Sequence, residues 1–187
     1  AITSTSGAVT ITGAVNISSA SSYIDLGSEA WTVSGVWTNA STSASWDAGT
    51  GSVTFTSATG GTMTFVGTNL SEDEFNNVTF NSTGATAQTF TLATNGLRWG
   101  GTLTITDATG GTTLDKATLT LAGGALTVSG AAASGLTSTS GAVTVTTISV
   151  STATAFIDFG SEAWTASGNW DNSSTSTSWD AGTGTIT

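Results

Sequence analysis

The chain of 187 residues is long enough for one domain with a sizeable core or for a short run of stacked repeats, and 37% of its residues are apolar. Only 7% are charged, and a net charge of −10 with two cations, Arg98 and Lys116, excludes electrostatic capture of nucleic acid or anionic lipid. The absence of Cys and His excludes disulfides, thiolate metal sites and the usual general base.

The small hydroxyl residues dominate the composition. The chain has 42 Thr and 27 Ser, and its 24 Gly add turn-forming positions. Thr favours strands, and the good helix formers Glu, Lys, Arg, Gln and Met are nearly absent. Seven Trp and seven Phe at regular places supply the bulky apolar residues that a disordered chain lacks. The composition therefore predicts an ordered, all-β protein.

Brief alternations of apolar residues with Thr recur along the chain, and their period of two predicts half-buried strands. In chain order they are Val9–Thr12, Val53–Phe55, Val78–Phe80, Phe90–Leu92, Leu103–Ile105, Leu119–Leu121 and Val143–Val145. Glycine pairs at 60–61, 100–101, 110–111 and 123–124 predict turns between them. This pattern favours an all-β β-solenoid, similar to a parallel β-helix, in which stacked coils bury their inward faces. The alternative is a β-sandwich of the immunoglobulin kind.

One long sequence motif is present twice. The segment from Tyr23 to Gly51 matches the segment from Phe156 to Gly184 at 22 of 29 positions with an offset of 133, and TSTSGAVT at 3–10 recurs at 137–144. Residues 3–56 and 137–187 are thus near-copies, and residues 1–187 form a single repeat-built domain of about 1.4 copies of a unit of about 133 residues. We expect a longer tandem array or β edges left open to neighbours.

Three motifs carry a resemblance to a known class of protein. They are Ser34–Asn39, Trp46–Phe55 and Phe75–Phe80, and the first two recur at Ser167–Asn172 and Trp179–Thr187. Together they resemble motifs of the repetitive adhesin-like and S-layer-associated surface proteins of bacteria and archaea with parallel β-helix repeats. The resemblance implies a passive role at the cell surface, such as adhesion, a sheath or a filament.

Six tryptophans belong to the repeat, and aromatic faces at regular spacing are typical of surfaces that stack on sugar rings. Core packing is the competing interpretation of the same residues. If the motif contacts glycans, the contact residues are Trp37, Asn39, Trp46, Trp170, Asn172 and Trp179.

Two groups of carboxylates suggest calcium, the one cofactor that we consider. The cluster Glu72, Asp73 and Glu74 offers several oxygen ligands, or else forms a hydrated loop that keeps a strand edge from pairing. Asp25 and Glu29, repeated as Asp158 and Glu162, either bind calcium or form solvated turns in which Asp accepts backbone N–H bonds.

Six Asn-x-Ser/Thr sequons are candidate glycosylation sites on outward-facing loops. They begin at Asn16, Asn39, Asn69, Asn77, Asn81 and Asn172.

The sequence lacks the combinations of residues that catalysis requires, because the two cations lie in different segments and a Ser nucleophile has no His. No apolar run is long enough to form a membrane-spanning helix, so we expect no direct membrane insertion.

The expectation is a non-enzymatic, extracellular structural protein, a self-assembling building block of a surface filament, sheath or adhesin stalk. Its partners are copies of itself in a homopolymer or tandem array, and no nucleic acid. The alternative is a carbohydrate-binding adhesin module whose partners are cell-surface glycans.

Overall fold

The computed structural model describes residues 1–66 and 73–187. Within these ranges it contains 19 strands and no helix, so none that could cross a membrane. Every strand pair is parallel and joins successive coils, which form a β-solenoid of about eight turns. The solenoid prediction is confirmed, and the β-sandwich alternative is wrong because its sheets would be antiparallel.

Each complete coil visits three faces in a fixed order. Face 1 holds β1 (Ile2–Thr3), β4 (Ile24–Asp25), the first parts of β11 (Leu97–Ile105) and β13 (Leu121–Val128), β15 (Val143–Val145) and β18 (Trp164–Ala166). Face 2 holds β2 (Val9–Ile11), β5 (Ala30–Val33), β7 (Ser52–Phe55), β9 (Asn77–Phe80), the second parts of β11 and β13, β16 (Thr147–Val150) and β19 (Trp170–Asn172). Face 3 holds β3 (Val15–Ile17), β6 (Trp37–Asn39), β8 (Gly61–Thr64), β10 (Gln88–Ala93), β12 (Thr112–Asp115), β14 (Gly135–Thr137) and β17 (Phe156–Ile157).

The core follows from the period of two that the sequence displays. In β7, Val53 and Phe55 point inward and are buried, while Ser52 and Thr54 are only partly covered. Equivalent inward residues stack along the axis, as in the ring contact of Phe55 with Phe80 at a centroid distance of 5.2 Å. Burying one such phenylalanine contributes about 1.5–3 kcal/mol, so the column of apolar side chains is the main source of stability.

The number of residues in a coil varies, and this variation decides on which face each segment of the second sequence copy lies. Along face 2 the step from Val9 to its partner in β5 is shorter than the step from Val53 to its partner in β9. Six steps, through β5, β7, β9, β11 and β13 to β16, bring Val9 to Ile148. The sequence counterpart of Val9 is instead Val143, which lies on face 1. The repeat unit is therefore one face shorter than six complete coils. As a result, each segment of the second copy lies one face earlier in the coil than its counterpart in the first copy.

Two of the predicted glycine turns are wrong. Gly100 and Gly101 lie inside β11, at an irregularity in its pairing with β13, and Gly123 and Gly124 lie inside β13. A Cβ added to Gly124 would stand 2.0 Å from the backbone oxygen of Gly101 in the coil below. The glycines allow two strands to cross a corner of the solenoid while their backbones stay in close contact. The strand predicted at 119–121 also begins later than expected, since β13 starts at Leu121 and continues to Val128.

Asp107 anchors the turn after β11. One carboxylate oxygen accepts the backbone N–H groups of Thr109 at 2.7 Å and Gly110 at 3.2 Å, and the other accepts the Thr112 hydroxyl at 3.2 Å. Burial opposes ionisation, but these hydrogen bonds outweigh it, and the pKa of Asp107 lies below its ordinary value of 3.8.

The lowered pKa of Asp107 predicts that this residue accounts for part of the stability that the protein loses at low pH. A carboxyl group with a depressed folded-state pKa contributes stability that is complete above 3.8 and is lost as the pH falls through the folded-state value. We expect Asp107→Asn to lose less stability on acidification than the parent chain, measured as free energy of unfolding in urea at several pH values. Asp171→Asn, at an exposed position, is the control for loss of one charge. Equal acid sensitivity of Asp107→Asn and the parent would contradict the prediction.

Candidate functional site

The tryptophans of the first copy lie in the core. Trp37 is 0% exposed and Trp46 is 4% exposed, and their rings meet edge to face at 6.3 Å. Phe55 and Phe75, from the next two coils, pack against Trp37 at 5.9 and 5.5 Å. Both indole N–H groups donate to Glu74, from Trp37 to its carboxylate at 3.4 Å and from Trp46 to its backbone oxygen at 3.0 Å. Later coils thus seal this aromatic cluster.

Asn39 shares this buried environment. Its side-chain amide donates to the Glu74 carboxylate at 2.8 Å, and its oxygen accepts the backbone N–H of Ser41 at 2.9 Å. Glycan contact by Trp37, Asn39 and Trp46 is therefore inconsistent with the fold, because no ring face or amide is open to a sugar. N-glycosylation at Asn39 is inconsistent with it for the same reason.

The same motif in the second copy has a different environment. Trp170 and Trp179 are only partly buried, and Asn172 is exposed. Phe159 packs against Trp170 at 5.2 Å and against Trp179 at 5.4 Å, but no later coil within residues 1–187 lies over them. Near-identical sequences are thus sealed in one copy and open in the other. Glycan contact at these three positions remains a prediction.

Within residues 1–187, the strands of the first and last coils pair on one side only. At the start these are β1, β2 and β3, and at the end β19 and the segments around Asp180 and Ile186, which pair only with the coil below. The large apolar side chains that are exposed among the described residues are Ile2, at 58%, and Ile186, at 45%. Exposed strand edges with apolar side chains are templates for pairing with another chain.

The two ends differ in charge. Residues 1–24 contain no Asp, Glu, Lys or Arg, although the chain carries a net charge of −10. Residues 164–187 contain Asp171 and Asp180, which are both exposed. The side chains of the first coil are therefore neutral, whereas the last coil carries exposed carboxylates.

A buried ion pair that the sequence analysis missed links three coils. Lys116 and Glu162 approach to 3.1 Å, and their side chains are 0% and 3% exposed. The Lys116 ammonium also donates to the backbone oxygens of Ser140 and Gly141, both at 2.6 Å, and the Ser138 hydroxyl donates to the same Glu162 oxygen. Burial lowers the pKa of Lys116 below its ordinary 10.5, and the Glu162 carboxylate opposes that shift.

The corresponding carboxylate of the first copy lacks the cation. Glu29 is buried, its Oε2 has no hydrogen-bond partner, and its Oε1 accepts only a long bond of 3.4 Å from Ser28. Lys116 is two coils before Glu162, and residues 1–28 contain no lysine that could pair with Glu29 in the same way. Asp25 and Asp158 do form the turns expected for them, accepting the N–H of the glycine two residues on at 3.0 Å. The two glutamates, however, are buried and not solvated.

The carboxylates of the proposed calcium cluster point in different directions. Glu74 is fully buried and also accepts the backbone N–H of Val66 at 2.9 Å, whereas Asp73 pairs on the surface with Arg98 at 3.3 Å. Glu72 lies outside the described residues. Calcium binding by Asp73 and Glu74 together is inconsistent with this arrangement, and the described ranges hold no group of three acidic residues that could bind a metal ion.

The asparagines of the remaining sequons differ in how exposed they are. Asn16 and Asn172 are exposed, whereas Asn77 and Asn81 are half-buried, and Asn69 lies outside the described residues. The Asn77 side chain also accepts the backbone N–H of Thr102 in the next coil at 2.9 Å. Asn16 and Asn172 are thus the positions most accessible to modification.

A polar surface cavity of about 410 Å³ crosses the third to fifth coils on face 1. Its lining includes Asp47, Asp73, Asn76 and Arg98. The guanidinium of Arg98 is held by the Asp73 carboxylate, so the cavity presents a fixed ion pair and an amide.

Comparison with known proteins finds no matching family model, no matching curated protein and no matching solved structure.

Proposed function

We propose that this protein is a non-enzymatic, extracellular structural protein, a building block of a surface filament, sheath or adhesin stalk that assembles through its β edges. The observation that carries the proposal is the contrast between Trp37, which later coils seal, and its counterpart Trp170, which no coil of residues 1–187 covers. A surface that is core in one copy is suited to become core again when another coil covers it.

The rest of the chain fits a stiff rod. Backbone hydrogen bonds run along the axis on all three faces, and the apolar column is continuous through the coils. Lys and Arg number only two in 187 residues, which leaves trypsin-like proteases almost no cleavage sites outside the cell. Of these two, Lys116 is buried within a coil corner.

Assembly is tested by placing a charge inside the proposed joint. Ile2→Asp puts a carboxylate at an inward position that stacking would bury, at a cost that raises the critical concentration for assembly by roughly tenfold or more. The control is Thr144→Asp, which adds the same charge at an exposed, outward position of an inner coil, between the neutral neighbours Ala122 and Thr165. We expect fibres from the parent and the control in negative-stain microscopy, and dispersed monomers from Ile2→Asp at the same concentration.

Because Ile2 is already 58% exposed, Ile2→Asp should leave the fold of the monomer intact, which circular dichroism checks. Monodisperse particles of the parent chain at every concentration would refute the proposal. Fibres from Ile2→Asp at the parent's critical concentration would show that the ends are not the joint.

The second candidate function, a carbohydrate-binding module, is favoured by one observation: Trp170, Asn172 and Trp179 all retain exposed surface. Assembly and glycan binding would use the same residues, so they are separated on the monomeric Ile2→Asp protein. Glycan-array binding by this protein that Trp170→Ala abolishes would support the module. Absence of binding would leave assembly as the function of this surface.

A further inference from the structure

Face 2 carries an ordered column of threonines on its outer surface. Along the chain the Thr-x-Thr motifs are unevenly spaced, but the strand pairing compensates for the unequal coil lengths. In each strand of face 2 from β2 to β13, one Thr stands between two apolar residues, points outward and pairs with the Thr of the next coil. The column consists of Thr10, Thr32, Thr54, Thr79, Thr104 and Thr127, continues as Ser149 on β16 and has Asp171 at this position on β19.

A second column of small polar side chains runs beside the first. Its members lie two residues further along each strand and therefore point to the same side of the sheet. They are Thr12, Ser34, Thr56, Asn81, Thr106, Ser129 and Ser151, so a single amide interrupts the hydroxyls. The side-chain oxygens of Ser34 and Thr56 are 3.3 Å apart, within hydrogen-bond distance along the column. Face 2 thus presents a two-dimensional array of hydroxyl groups, two on almost every coil.

The array carries no charge over its first seven strands. No Asp, Glu, Lys or Arg occurs in the segments that form it, at 8–12, 30–34, 52–56, 77–81, 102–106, 125–129 and 147–151, although the chain has 12 acidic residues. The other two faces differ, since face 1 presents Asp25 and Arg98 outward and face 3 presents Asp115 outward. An uncharged surface neither attracts counter-ions nor repels a neutral ligand. The chemistry of face 2 therefore suits a ligand that is polar, uncharged and extended in two dimensions.

The spacing of the array narrows the choice of ligand. Neighbouring strands of a sheet lie about 4.8 Å apart, and alternate residues of one strand lie about 6.6 Å apart. Oxygen atoms on the prism faces of ice repeat at similar intervals in two perpendicular directions. The β-branched Thr side chain has few rotamers, so its hydroxyl is held near one position before a ligand arrives. Side-chain ladders of this kind are also among the features that keep a sheet flat, as contact with a crystal face requires.

We propose that face 2 is an ice-binding surface, whose ligand is crystalline water held by the two hydroxyl columns. A hydroxyl group donates one hydrogen bond and accepts others, so it can replace a water molecule of the lattice. Ordering water at a surface costs entropy, and a preformed array of anchoring groups lowers that cost for many water molecules together. The inference goes beyond the proposed structural function and does not rest on it, because face 2 lies on the side of the solenoid, away from the strands proposed to join copies.

Partition of the purified protein into ice tests this inference. A solution is frozen slowly onto a cold surface, and the protein content of the ice is compared with that of the remaining liquid, with serum albumin as a protein that ice excludes. We expect enrichment of the parent chain in the ice. Thr79→Lys, in the middle of the first column, should be excluded like albumin, because a long charged side chain keeps the ice from the neighbouring hydroxyls. The matched control is Thr89→Lys, at an exposed, outward position of β10 on face 3 of the same coil, which should partition like the parent.

Exclusion of the parent chain from ice would overturn the inference, and so would enrichment of Thr79→Lys to the level of the parent. An equal loss in Thr89→Lys would show that face 2 is not the contact surface. Thr104→Lys repeats the test on the next coil of the column, and circular dichroism of each variant separates loss of ice binding from loss of folding. Fibre formation is measured independently by microscopy, so either function can fail while the other stands.

Discussion

Replacing Trp37 by Ala is expected to lower the free energy of unfolding by about 3–5 kcal/mol, the cost of a large cavity in a sealed core. Its indole is 0% exposed, contacts rings from two later coils and donates to the buried Glu74 carboxylate. The same substitution at Trp170 is the matched control. Trp170 is only partly buried and has no coil above it, so we expect Trp170→Ala to cost less than half as much.

Urea unfolding of both variants at concentrations where the protein is monomeric measures this difference. For assembly, measured as the critical concentration, we expect the opposite order: Trp170→Ala should have the larger effect, since it removes a side chain from the proposed joint. Equal losses of monomer stability for the two variants would contradict the difference in environment on which the assembly proposal depends.

The sequence predicts the class of fold because the solenoid repeats one local rule. Alternation of apolar residues with Thr, as in Val53–Phe55 and Val78–Phe80, places every second side chain inward, and the structure has strands β7 and β9 at these positions. The near-repetition of the short strands and the absence of Pro are further features of the sequence that favour the solenoid over the sandwich. The equal spacing of Val9-Thr10, Trp31-Thr32 and Val53-Thr54 was a further signal in the sequence, and it marks the length of one coil.

The rotation of the second copy was not predictable from the repeat length. Six coils with the spacing of Val9 and Trp31 would nearly equal the offset of 133, which suggests that the copies lie on the same face. The middle coils are longer, however, as the pairing of Val53 with Val78 shows, so the same offset falls one face short. Coil length depends on corner residues that do not enter the core, and apolar periodicity carries no information about them.

The environment of the repeated tryptophans was also outside the reach of the sequence. Trp37 and Trp170 have near-identical neighbours along the chain, and only the coil stacked next decides whether each is sealed. The same holds for the buried ion pair, because Lys116 and Glu162 are two coils apart and neither carries a local signature of burial. Contacts along the axis join residues at separations that vary with every corner.

The largest electrostatic effect is expected from Glu162→Gln. This change removes the carboxylate that compensates the Lys116 ammonium in a site where both side chains are buried. Breaking a buried pair by removing one partner costs about 3–5 kcal/mol, because the other charge remains out of water. The matched control is Glu29→Gln, at a buried carboxylate with no lysine partner, where we expect no loss or a small gain in stability.

The pH dependence of the two variants separates an ion-pair effect from simple loss of packing. The pKa of Lys116 already lies below 10.5 in the folded protein, so the unfolded chain binds more protons between the two pKa values and stability rises with pH there. Without Glu162 the folded-state pKa of Lys116 falls further, and this window extends to lower pH. The deficit of Glu162→Gln relative to the parent should therefore shrink as the pH is raised from neutral toward the ordinary pKa of lysine in urea unfolding experiments, while Glu29→Gln shows no such trend. A deficit that stays constant over this range would mean that Glu162 acts by packing and that its charge is not what stabilises the corner.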